Sequence, residues 1–65
     1  MRFECNINMD NDAFAQDMHL ELCRALREIS HNVRDNDDVV RSATVRDING
    51  NKIGTWKIIG DNNND

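Results

Sequence analysis

Glycine, cysteine, long apolar runs and positive charge are all scarce in this 65-residue sequence, and each scarcity removes a class of function. The three glycines, Gly50, Gly54 and Gly60, are scattered through the C-terminal third and build no phosphate-cradling loop. Two cysteines, Cys5 and Cys23, supply neither C-x-x-C nor a disulfide framework, and they read as reduced thiols used as small hydrophobes, with Cys5 facing the core. No stretch approaches the roughly 18 apolar residues of a membrane span. Met1-Arg2-Phe3-Glu4 lacks the charged-then-apolar pattern of a signal peptide, so no membrane association and a cytoplasmic location are expected. Eight basic residues against twelve acidic ones leave a net charge of −4, the wrong sign for bulk attraction to phosphates, and direct nucleic-acid binding is not expected.

The length bounds the rest. A chain this short makes one domain and buries only about 60% of its unfolded surface. Ligand pockets of roughly 300 Å³ or more are hard to enclose within a single protomer of that size. Size therefore favours binding over catalysis.

What is present is patterned. Phe3, Cys5, Ile7 and Met9 alternate with Arg2, Glu4, Asn6 and Asn8, the period of a strand with one buried face. Asp10-Asn11-Asp12 supplies three side chains able to cap a helix. Phe14, Met18, Leu22, Ala25, Leu26, Ile29 and Val33 then recur at spacings of three and four. At about 100° per residue they fall within roughly a 120° arc, the stripe of an amphipathic helix packed on a sheet. Asp17 is a second capping candidate, which would divide the segment into a short turn over residues 13–16 and a main helix from Met18 to about Val33.

The polar run Asn32 to Asp38 reads as a loop, and a second strand follows over about Val40 to Asp47. Asn49-Gly50 between alternating runs marks a hairpin. A two-residue loop there sets Val45 opposite Gly54 and Ala43 opposite Trp56. A four-residue turn over Asp47 to Gly50, with Gly50 in a bulge, instead pairs Val45 with Ile53. The first register keeps Trp56 among apolar neighbours and is preferred; in it Ile48 and Ile53 project from the open face of the sheet. The expected fold is α+β, a β-α-β-β domain over residues 1–60. Its three-stranded, antiparallel-rich sheet has the third strand in the middle and the helix on one face. Residues 61–65 have nothing to bury and are expected to be a disordered polar tail.

Candidate chemistry is thin. His19 and Cys23 share a helix flank, but His31 points about 100° away from them, so one ion could not collect them with Cys5. Asp47-Ile48-Asn49-Gly50-Asn51 places its glycine fourth, where a calcium loop of the EF-hand type needs it sixth. No catalytic residues, cofactor or metal are expected, and the chain does not read as an enzyme. The most distinctive surface is the outer helix face, where Leu20 lies in a strip with Arg24, Arg27, His31 and Arg34. An apolar residue among arginines suits a protein-binding face, and Leu20, Arg24, Arg27 and His31 are its candidate residues. The open sheet face around Ile48 and Ile53 is the second candidate surface. Either could serve as a homodimer contact, a common remedy for a small core.

The first strand, the D-N-D-A-F helix entry, Leu22-Cys23-Arg24-Ala25-Leu26-Arg27 and the R-D-I-N-G-N hairpin leading to G-T-W-K-I together resemble small acidic phage-encoded proteins of unknown function. The resemblance covers nearly all of residues 2–59 and carries no catalytic residues. It implies a stoichiometric inhibitor that occupies a host protein in the host cytosol, including components of defence systems. A different class remains beside it: a small-ligand or nucleotide binder whose pocket forms between protomers. A third reading has the clustered aspartates imitating nucleic acid before a basic partner.

Overall fold

The computed structural model describes residues 1–35 and 41–60. Strand β1 (Arg2–Ile7) leads through a 3₁₀ turn (Asp12–Phe14) into helix α1 (Met18–Asp35), followed by strands β2 (Ser42–Arg46) and β3 (Lys52–Ile59). The sheet order is β1-β3-β2 with both pairings antiparallel, the α+β arrangement that the sequence pattern implies. The expected tail and Val40 lie outside the described residues. No helix among the described residues is long and apolar enough to cross a membrane.

Local chemistry starts each element. Asn11 accepts a hydrogen bond from the Ala13 amide at 3.2 Å and caps the 3₁₀ turn. Asp17 accepts one from the Leu20 amide at 3.0 Å and opens α1 afresh. The two caps split the segment where the aspartate pattern placed the division.

The hairpin combines the two expected geometries. Ala43 lies opposite Trp56 and Val45 opposite Gly54, as in the preferred register. The loop, however, is not the two-residue one. The Gly50 amide donates to the Asp47 carbonyl at 3.0 Å, and the Asp47 amide donates to the Asn51 carbonyl at 2.9 Å. Gly50 sits at φ 88°, a left-handed conformation that suits glycine. This four-residue turn moves the pairing by one, so that Arg46 faces Lys52, and Ile53 then stands unpaired as a bulge that moves it back. The two offsets cancel. The bulge also turns Ile53 inward, so it is buried and does not project from the open face.

The core comprises Phe14, Ala25, Ile29, Val45, Ile53 and Trp56, with Trp56 only 1% exposed. Gly54 admits β1 close to β3, because a Cβ there would overlap the Asn6 carbonyl. The helix packs closest to β2, and among the described residues nothing covers the β1 side of the same face as fully. That asymmetry corrects two expectations. Phe3 is 50% exposed even though it stacks on Trp56 at a 5.8 Å centroid separation, and Cys5, on the helix side of the sheet opposite Trp56, is exposed and not buried. On α1 the buried line is Glu21, Ala25 and Ile29, while Met18, Leu26 and Val33 on the apolar stripe remain exposed.

Candidate interaction face

The turn is built by one carboxylate. Asp47 is buried, and its Oδ1 accepts from the Asn49 amide at 2.9 Å and the Asn51 amide at 2.8 Å. Its Oδ2 accepts from Asn11 Nδ2 at 2.6 Å and from Asn51 Nδ2 at 3.2 Å. Burial pushes this carboxyl up, but the bonds from Asn51, Asn49 and Asn11 outweigh it and hold the group below its ordinary value. Arg46 Nη1 adds a bond to the Gly50 carbonyl at 3.1 Å. The result is a turn with a fixed shape, tied to the start of the helical segment, whose tip presents Ile48 at 66% exposure.

A second carboxylate joins that turn to α1. Glu21 is 7% exposed and accepts from the Ile48 amide at 3.0 Å through Oε2. Arg24 grips the same carboxylate with Nε at 3.0 Å and Nη2 at 3.1 Å, reaches Glu28 with Nη1 at 2.8 Å, and donates from Nη2 to the Arg46 carbonyl at 2.8 Å. The bonds to Glu21, aided by Glu28, raise the Arg24 guanidinium above its ordinary value. Helix and turn are therefore joined directly by side-chain bonds. Charge-assisted bonds in this forked geometry are among the stronger polar contacts.

The clamp brings two exposed aliphatic residues to one place. Leu20 is 63% exposed, and together with Ile48, Ala13, Gln16, Asp17 and Arg27 it lines an open groove of about 390 Å³. Ile48, assigned by pattern to the sheet face, thus belongs with the helix face. Of the four residues expected at the binding surface, Leu20 and Arg27 present themselves there. Arg24 lines the groove, but its guanidinium is committed to Glu21, Glu28 and Arg46. His31 is exposed one turn beyond, outside the groove.

Two residues that hold this face escaped the pattern. Glu21 reads as an ordinary polar helix position, since nothing local marks it as buried. Asp47 carried a signal: aspartate at the first position of a turn bonds its own backbone two residues on. Two further depressions, of about 520 and 630 Å³, lie beside Asn8, Asp10, Lys52 and Gly54 and offer no exposed apolar anchor. Among the described residues no group of three or more His, Cys, Asp or Glu is placed to hold a metal ion. Compared with protein-family models, curated proteins and solved structures, the chain matches none.

Proposed function

We propose that this chain is a stoichiometric binding protein of the phage type that its sequence resembles. It occludes a host protein, a defence component being the class the resemblance implies, through the face made by Leu20, Ile48 and Arg27. One observation carries the reading: two large aliphatic side chains stand exposed on a scaffold that Glu21 and Arg24 hold rigid. Exposed apolar anchors that need little ordering on binding retain more of their burial energy as affinity.

Affinity capture from host lysate with wild-type protein, Leu20→Asp and Ile48→Asp tests it. Loss of the same partner in both variants is expected, because a carboxylate placed at the centre of a desolvated contact costs at least about 2 kcal/mol, roughly thirtyfold in affinity. Undiminished capture by both variants would remove this face from the account.

A further inference from the structure

Among the described residues the sheet ends at β1, and the ladder shows which of its backbone groups face outward. The Asn8 amide donates to the Ile53 carbonyl at 2.7 Å, and Asn6 and Glu4 lie opposite Thr55 and Lys57. In an antiparallel ladder bonding alternates, so Arg2, Glu4, Asn6 and Asn8 direct their backbone groups at β3, while Phe3, Cys5 and Ile7 direct theirs to the open edge. The side chains of those same three residues lie on the helix side of the sheet, since Cys5 is opposite Trp56 and Phe3 stacks on it.

This edge also opens onto the uncovered part of that face. Glu21 and Arg24 turn one flank of α1 toward β2 and the turn, which leaves Leu22, Leu26 and Val33 on the flank toward β1. Phe3, Leu26 and Val33 are exposed there, beside a core that among the described residues has six buried apolar side chains. A strand edge with an apolar face beside it is a template for another strand.

We infer that β1 pairs antiparallel with β1 of a second copy of this chain, joining two three-stranded sheets into one of six strands. Charge favours the contact at this edge. The chain is acidic overall, but Glu4, the one carboxylate on β1, is held by Arg2 at 2.8 Å and by Lys57 at 3.7 Å. Asp10, Asp12 and Asp17 lie beyond the strand. Charge also excludes one register. Centring the two-fold axis on Glu4 would set two glutamates against each other, whereas centring it on Cys5 sets Glu4 against Asn6 and Arg2 against Asn8. That register also pairs Phe3 with Ile7 on the helix side, an aromatic and a β-branched side chain. It brings the two Cys5 residues face to face, with Cα atoms about 5.5 Å apart, within disulfide reach.

The dimer leaves Leu20 and Ile48 exposed on both copies, so its failure and the failure of the proposed function are distinguishable. The test is solution mass together with oxidative cross-linking of the full chain. Sedimentation at micromolar concentration is expected to give twice the 7.5 kDa chain mass. In a Cys23→Ser background, diamide should join two Cys5 thiols. The disulfide forms as the thiols give up two protons and two electrons, and the diamide is reduced to its hydrazine form. Cys5→Pro, which removes only an outward-facing amide from the edge, and Phe3→Lys should each return the mass to that of one chain. A monomeric wild type, a dimer that survives both substitutions, or a dimer in which Cys5 does not cross-link would each overturn the proposal. Should either substitution unfold the chain, the other and the cross-link still decide.

Discussion

At the residue scale, single atoms decide what positions tolerate. Gly50 and Gly54 are both glycine for different reasons, and their alanine variants should separate. Gly50→Ala places a side chain at φ 88° with nothing nearby to strike, and should cost about 1–2 kcal/mol from the left-handed backbone alone. Gly54→Ala drives a methyl group into the Asn6 carbonyl, so β1 and β3 must part, at a cost of about 3 kcal/mol or more. Urea titrations of the two variants should rank them in that order. Asp47 should contribute to acid stability. Its folded pKa lies below the unfolded value of about 3.9, so its contribution is complete well above that value and is lost as pH falls through the folded pKa. The melting temperature should therefore fall on acidification below about pH 5, and Asp47→Asn should flatten that fall. An unchanged acid limb in the variant would show that other carboxylates govern it. Trp56 carries a contradiction of its own: its ring is the centre of the core, yet its buried Nε1 has no hydrogen-bond partner among the described residues. Trp56→Ala should cost about 3–5 kcal/mol, whereas Trp56→Phe, which removes the unpaired donor along with some area, should cost markedly less.

At the element scale, α1 and the β2–β3 turn act together because Glu21 serves both. Glu21→Ala removes the forked partner of Arg24, which keeps Glu28 and the Arg46 carbonyl, and leaves the Ile48 amide without its acceptor, and should lower stability by about 2 kcal/mol in denaturant unfolding. Arg24→Lys should restore little of what Arg24→Ala loses, since an ammonium cannot grip Glu21 with two nitrogens while also reaching Glu28 and Arg46. This scale also shows how far the sequence could be read. Strand order, both helix caps and the pairing of Ala43 with Trp56 were legible, because alternation, capping side chains and Asn-Gly act over a few residues. The burial of Ile53 was not, since it depends on a turn and a bulge whose offsets cancel. Nor was the exposure of Phe3 and Cys5, which follows from where a helix comes to rest on a sheet and has no local signature. Leu20 and Arg27 were identified on the helix, but their neighbour Ile48 reached them only through Glu21, across 27 positions of sequence.

At the scale of the whole molecule, the chain separates a rigid end from an unfinished side. The end holding the turn, Leu20 and Ile48 is fixed by carboxylate-centred bonds, and there the proposed host contact lies. On the side holding β1 the described residues leave strand and apolar groups uncovered, and there a second copy would complete the sheet. Combined, the two would present a pair of binding faces on one dimer, so capture by an immobilised multivalent target should exceed capture by the same target in monomeric form. The net charge of −4 makes long-range attraction to a basic partner sensitive to salt, whereas the proposed aliphatic contact through Leu20 and Ile48 would be far less so. Partner capture that persists at high salt would favour the aliphatic face over a surface of aspartates imitating nucleic acid.

Leu20 and Ile48 share a face only if helix and turn form one rigid unit. Hydrogen exchange of the Ile48 amide tests it without any partner in hand. Slow exchange in the wild-type protein, accelerated by orders of magnitude in Glu21→Ala while the amides of β3 and the β3-facing amides of β1 stay protected, is the predicted result. Fast exchange of Ile48 in the wild type would mean that the turn moves free of α1, and that Leu20 and Ile48 do not share a face.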